Sequence, residues 1–231
     1  MTPQYRDEAV VGVADYYANT AAEQADSRKV SLYSVLKRTV DILGASFGLI
    51  VLSPLFLIVA IMIKLEDPKG PVFFSQMRIG KDEKPFRIYK FRSMCADAEA
   101  KLKDVMDRNF LSGAMFKIKD DPRITKVGKF IRKTSIDELP QFLNVLIGNM
   151  SLVGPRPSSK MEVDDYTSYD KKRLSATPGC TGLWQVSGRN NIGFKEMVEL
   201  DISYIKKKSI LFDIKIMLKT VVIIFNSRGA S

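Results

Sequence analysis

The chain has 231 residues, a formal net charge of +10 and no histidine. Lack of histidine excludes the Ser-His and Cys-His nucleophile arrangements, so any catalysis has to rest on carboxylates, Lys or Arg, hydroxyls or thiols. The two cysteines, Cys95 and Cys180, stand far apart and make neither a disulfide framework nor a CxxC metal pattern, which fits a reducing compartment.

The first thirty residues hold five acids against three bases and no early apolar core. They read as a disordered polar tail rather than a signal peptide. The basic surplus therefore lies in the rest of the chain and suits an anionic partner: nucleic acid, acidic lipid or a phosphorylated substrate.

From Ile42 to Ile63 there are 22 residues without a charge. As a helix this run is about 33 Å long, the thickness of a bilayer's hydrocarbon core. Ser53-Pro54 stands at its middle, where proline deletes a helical hydrogen bond. Arg28, Lys29, Lys37 and Arg38 precede the run, and Lys64, Lys69, Arg78 and Lys81 follow it. Four bases on each side leave the positive-inside rule no side to choose. A straight span and a hairpin re-entering at Ser53-Pro54 are both compatible with this. In the hairpin, the Ser53 hydroxyl has a carbonyl freed by the break within reach.

Beyond the apolar run, PVFFSQMRI and PFRIYKFRSM flank a turn-like GKDEK and predict a β-hairpin. Alternation places Arg87, Tyr89 and Phe91 on one face and Ile88, Lys90 and Arg92 on the other. A surface helix is expected over 96–108 and a short basic amphipathic element over 125–133. The stretch 202–225 is apolar at helical spacing but interrupted by Lys206, Lys207, Lys208, Asp213, Lys215 and Lys219. It is too charged to span a membrane and suits an interface or a core. The segment plan is a tail over 1–30, a membrane segment over 31–66 and one globular domain over 67–231.

LPQFLNVLIG predicts a short helix ending at Gly148, with Asp137-Glu138 at its start. Ser135-x-x-Glu138 reads as a capping box, and Asp137 as N-cap is the alternative that suits Pro140 better. A helix start favours an ionised carboxylate and attracts phosphate, as an aspartyl-phosphate chemistry needs, and Glu138 beside it could hold a divalent cation. VGPRP fixes Arg156 between two prolines, a setting for bidentate contact with phosphate. PGCTGLWQVSGRNN is a glycine-rich loop carrying Trp184 and Arg189; it matches no GxGxxG or GxxxxGK[ST] pattern but is able to line a nucleotide site.

KRTVDILGASFGLIVLSPLFLIVAIMIKLEDPKGPVFFSQMRIG, FRIYKFRSM, SIDELPQFLNVLIGNMSLVGPRP, PGCTGLWQVSGRN and ELDISYI occur here in one order. Over about residues 33–225 the chain resembles the bacterial sugar transferase family, the monotopic phosphoglycosyl transferases. The resemblance implies an α+β, mainly helical fold: a re-entrant membrane hairpin broken at Ser53 and Pro54, a small β-hairpin, and a cytoplasmic catalytic domain with interfacial amphipathic helices. It implies transfer of a sugar-1-phosphate from a UDP-sugar to undecaprenyl phosphate, with release of UMP, at the inner face of the bacterial cytoplasmic membrane. This step initiates exopolysaccharide, capsule or O-antigen assembly. By resemblance Asp137 is the nucleophile and forms a phosphosugar-aspartyl intermediate. Glu138 is tied to Mg²⁺, and Lys90, Arg92, Arg132 and Arg156 look like the phosphate-binding set; Arg189 of the glycine-rich loop is a further substrate-binding candidate.

Larger members of the family carry a multi-span N-terminal region, which this chain is expected to lack. Its segment 95–128 looks like that of the larger hexose-using members, and Cys180 stands where an aliphatic residue is commoner. No nucleic-acid partner is expected, and homo-oligomer formation stays open. Two other functions compete: a membrane-anchored scaffold or nucleic-acid-binding module, and a lipid phosphohydrolase using the same aspartate with water as acceptor.

Overall fold

The computed structural model describes residues 32–98, 100–101, 121–188 and 192–225. The expected polar tail and Arg189 fall outside these residues, as does most of the helix expected over 96–108. The chain divides at Arg38–Thr39, and the packing described below is that of the described residues from Thr39 onward.

The long apolar run folds as two helices, α1 (Leu32–Val51) and α2 (Ser53–Glu66), bent by 58° at the break. Pro54 falls in the first turn of α2, where a missing N–H costs nothing. The Ser53 hydroxyl donates to the Ile50 carbonyl at 2.8 Å, as expected of a serine beside a helix break. Among the described residues no single helix is long and apolar enough to cross a membrane.

The expected β-hairpin is present. Strand β1 (Phe73–Ile79) pairs antiparallel with β2 (Pro85–Phe91), in a register that sets Arg78 opposite Phe86, Gln76 opposite Ile88 and Phe74 opposite Lys90. Residues opposite one another share a face, so Arg78 lies on the Lys90 side. Helix α3 (Lys126–Lys133) is the expected amphipathic element, capped by Thr125, whose hydroxyl accepts from the Gly128 N–H. Helix α4 (Gln141–Ile147) ends at Gly148 in the left-handed region, φ 97°. A parallel pair of short strands follows, β3 (Ser151–Val153) with β4 (Gly179–Thr181). Helix α5 (Lys160–Asp164) lies between them in sequence, and α6 (Phe194–Lys207) and α7 (Ile210–Phe225) close the described chain. The stretch 202–225 is thus two helices broken at Lys208-Ser209.

The helix pair straddles the β-hairpin. Ala45 of α1 is buried with Phe86, Ile88, Val145 and Met150, while Val59 and Ile63 of α2 are buried with Phe91 and Ile131. Close approach on the α1 side relies on Gly44-x-x-x-Gly48. A Cβ at Gly44 would meet Leu152 at 2.6 Å, and one at Gly48 would meet the Phe142 ring at 2.8 Å. Asp41, also on α1 and 5% exposed, accepts from the Ser151 hydroxyl and the Leu152 N–H at 3.0 and 2.9 Å. At the other end the Glu66 carboxylate accepts from Lys126 N and Val127 N at 2.7 and 2.9 Å, capping the start of α3.

Asn144 stitches α4 to β2. Its side chain accepts from Tyr89 N at 3.0 Å and donates to the Arg87 carbonyl at 2.7 Å, as a neighbouring strand would. Asn144 is fully buried. Asn144→Leu keeps the volume but orphans both backbone groups. It should lower stability by about 2–4 kcal/mol in denaturant or thermal unfolding. A loss within error would show that this bond pair does not hold α4 in place.

Candidate active site

The Asp137-Glu138 pair does not begin a helix, which corrects both expected caps. Ser135 makes no side-chain cap bond and takes a left-handed backbone, φ 58° and ψ 16°. Ile136–Glu138 form one 3₁₀ turn, and α4 starts only at Gln141, with Pro140 at its N-cap position. A left-handed serine costs about 1–2 kcal/mol, and such strain is characteristic of functional turns. The true capping box of this region is Ser159 with Glu162, at the start of α5.

Asp137 is 8% exposed and Glu138 half-buried. Lys90 reaches from β2 to Glu138, with Nζ–Oε1 at 2.5 Å. Asp137 feels the positive charges of Lys90 and Arg132, but burial, and then the charge of Glu138, outweigh them. Its carboxyl is pushed from the ordinary 3.8 up to about 6. It is still mainly ionised at neutral pH.

Glu138 and Lys90 line a cleft with Ile88, Gln141, Cys180 and Gln185. Arg78, Arg156 and Pro157 line it too. Asp137 is not part of this lining. The alternation expected for β2 holds for Ile88 and Lys90, which share the cleft face. Burial, with the charges of Glu138 and Asp41, pushes the Cys180 thiol upward, so it is an inert wall and not a nucleophile. The Oε1 of Gln185 and the Nε1 of Trp184 are buried without a hydrogen-bond partner among the described residues.

The other expected phosphate ligands separate. Arg156 is in the cleft wall, and its carbonyl accepts from Arg173 Nη2 at 3.5 Å. Arg173 is 2% exposed and is itself held by Asp201 Oδ2, with Nε at 2.9 Å and Nη2 at 2.5 Å, and by the Tyr166 hydroxyl at 2.8 Å. Arg132 is exposed, with Ser93 Oγ at 3.5 Å, and acts on Asp137 by its charge. Arg92 is outside the cleft lining. Its Nη1 donates to Asp67 Oδ2 at 2.9 Å and its Nη2 to the Asp67 carbonyl at 2.6 Å, joining the end of α2 to the end of β2. Strand β2 stops at Phe91, so the parity that carries Lys90 into the cleft no longer governs Arg92.

Arg78, Gln141 and Gln185 are polar cleft residues that sequence reasoning did not single out for the site. For Arg78 a signal existed: pairing the two predicted strands puts it on the face of Lys90. Gln185 had none beyond its glycine-rich loop.

Among the described residues no group of three or more Cys, Asp or Glu could enclose a metal by itself. Two adjacent carboxylates do fit Mg²⁺, which takes one or two carboxylates and completes its shell with water and substrate phosphate.

A match to the bacterial sugar transferase family covers residues 32–227. The chain belongs to that family. It is 53% identical over 209 residues to the galactosyl transferase CpsE of Streptococcus agalactiae, an alignment covering 88% of this chain and 46% of that protein. It is 44% identical over 199 residues to the undecaprenyl-phosphate galactose phosphotransferase of Salmonella typhimurium, covering 84% of this chain and 41% of that one. With the exopolysaccharide production protein ExoY of Sinorhizobium fredii the identity is 40% over 200 residues, covering 85% and 88%. The chain thus spans less than half the length of the first two relatives and most of the third.

The raised value of Asp137 carries a stability sign. Below about pH 3 the carboxyl is protonated folded or unfolded, and the fold bears almost no cost. The cost grows as pH rises towards 6 and is complete above it. In metal-free buffer Asp137→Asn should therefore be more stable than wild type at pH 8, by up to about 3 kcal/mol, and equal to it within error at about pH 3. A variant less stable at pH 8 would show that the carboxylate is a structural cap.

Proposed function

We propose that this chain is a phosphoglycosyl transferase that moves a sugar-1-phosphate, a hexose-1-phosphate by resemblance, from a UDP-sugar to undecaprenyl phosphate. The observation that carries the reading is a buried Asp137, without an ion pair among the described residues, next to Glu138, which lines a cleft walled by Lys90, Arg78 and Arg156. A carboxylate needs no base to attack phosphorus, which agrees with the absence of histidine.

In the donor half-reaction an Asp137 oxygen bonds to the sugar-side phosphorus. The bond from that phosphorus to the bridging oxygen breaks, and its electron pair leaves with UMP. In the second half an undecaprenyl phosphate oxygen bonds to the same phosphorus and the Asp137 carboxylate is released. Lys90 holds Glu138 in place and adds positive charge, as Arg132 does, where the phosphoryl group passes. Glu138, with Asp137 beside it, would hold Mg²⁺, which neutralises phosphate charge when bound.

The helix pair α1–α2 is read as a re-entrant hairpin in the cytoplasmic leaflet. Leu43, Phe47 and Ile50 of α1 and Leu57, Ile58 and Ile61 of α2 are exposed apolar side chains with no aqueous rationale. Helix α7 exposes Leu211, Leu218 and Val222 beside Lys215 and Lys219, a composition suited to a headgroup layer. On this reading a polyprenyl phosphate headgroup would reach the cleft from the headgroup layer.

Wild type with a UDP-sugar panel, undecaprenyl phosphate and Mg²⁺ should release UMP and form a phosphosugar-lipid, and Asp137→Asn should lose at least about a thousandfold of that rate. Near-full activity of the variant would remove Asp137 from the chemistry, and free sugar phosphate as the product would indicate a hydrolase. In oriented vesicles, single cysteines at Ser34 and Lys69 in a cysteine-free background should label from the same side. Labelling from opposite sides would replace the hairpin by a span.

A further inference from the structure

Arg78 ends the cleft-facing row of β1, and its surroundings do not satisfy it. Its side chain is 16% exposed. Nη2 donates to Gln76 Oε1 at 3.0 Å, and Nη1 lies 3.7 Å from Glu162 Oε2, beyond hydrogen-bond length. That Glu162 oxygen already accepts from Ser159 N at 2.5 Å in the capping box of α5. A guanidinium has five N–H donors, so most of those on Arg78 are open.

The second observation is Arg156, which lines the same cleft. Its guanidinium has no hydrogen-bond partner among the described residues. Two partly desolvated like charges oppose each other here: burial and then the charge of Arg156 hold Arg78 below the usual arginine range. The fold enforces the pairing. Ile79 N donates to the Ser158 carbonyl at 2.8 Å, tying the end of β1 to the residue just beyond Arg156-Pro157. Arg173, buried on Asp201, holds the Arg156 carbonyl from the other side. A structure that brings two arginines to one cleft, with the long Arg78–Glu162 contact at 3.7 Å as their one ion pair among the described residues, is preorganised for an anion.

The cations at this site form two groups. Lys90 and Arg132 act on Asp137, whereas Arg78 is influenced by Arg156, Glu162, Glu138 and Tyr166. A nucleoside diphosphate also has two parts, the phosphorus under attack and the phosphate that departs.

We propose that Arg78 and Arg156 form a two-arginine clamp for the nucleotide-side phosphate of the donor, the one that leaves as UMP, while Lys90 and Arg132 serve the phosphate attacked by Asp137. This rests on the transferase reading above. Arg78 is then a substrate-binding residue: it carries the leaving phosphate's charge as the bridging bond breaks, and it holds the product until release.

The test is binding of UMP and of uridine, measured by calorimetry on the full chain in detergent or lipid discs, for wild type, Arg78→Gln and Arg78→Lys. Arg78→Gln should weaken UMP about 10- to 100-fold. It should leave uridine binding unchanged, because only the phosphate contact is lost. Arg78→Lys should fall between, keeping charge but not the fork. Melting of the ligand-free Arg78→Gln protein should not fall, since a repelled cation has been removed. UMP binding equal to wild type in a folded Arg78→Gln protein would overturn the clamp. So would equal weakening of UMP and uridine, which would mark Arg78 as structural. If wild type itself binds neither UMP nor uridine, the transferase reading fails first, and that result is distinct from a failure of the clamp.

Discussion

A carboxylate attacks a phosphate only under a narrow electrostatic condition. Cations must be near enough to keep it ionised and to cancel the phosphate's charge, yet none may bind it so closely that its lone pairs are occupied. The Lys90–Glu138 contact meets this condition. Glu138 takes the lysine at 2.5 Å, so Asp137 beside it receives the field of Lys90 without its hydrogen bond. Burial leaves Asp137 poorly solvated, and a poorly solvated carboxylate is a stronger nucleophile than one paired or hydrated. The left-handed Ser135 and the 3₁₀ turn Ile136–Glu138 set the backbone that carries both acids ahead of α4.

Much of the remaining fold serves to hold that turn against the cleft and the apolar hairpin. Asn144 fixes α4 to β2, which sets the distance between Glu138 and Lys90. Glu66 caps α3 from the end of α2, and Asp41 bonds β3 from α1, so each arm of the hairpin is fastened to an element flanking the site. Arg92 on Asp67 makes a third fastening. Such contacts fix the cleft to the helix pair, as the proposed reaction between a soluble nucleotide and a membrane lipid would require.

The parts legible in the sequence were those set by local chemistry. The proline break, the β-hairpin, the amphipathic α3 and the Gly148 stop each rest on propensity or periodicity within a few residues. The start of α4 was misplaced because Ser135-x-x-Glu138 and Ser159-x-x-Glu162 are equivalent local signatures. Tertiary packing put the capping box at the second and a left-handed turn at the first. Lys90 and Arg92 share a predicted face, but a strand ending at Phe91 and a partner 25 residues upstream, Asp67, send the arginine elsewhere. The buried Arg173–Asp201 pair and the opposition of Arg78 to Arg156 depend on contacts distant in sequence, and no residue pattern announces them.

The central claim is a covalent bond between Asp137 and the sugar phosphate, and the most direct measurement is the mass of the intact protein. Wild type mixed with its UDP-sugar and Mg²⁺, without lipid acceptor, should gain the mass of one sugar phosphate. The added mass should map to the peptide holding Asp137, vanish on addition of undecaprenyl phosphate, and never form on Asp137→Asn. Rapid-quench samples in which lipid product accumulates at full rate while the protein mass stays unchanged would contradict the account, because transfer would then be direct.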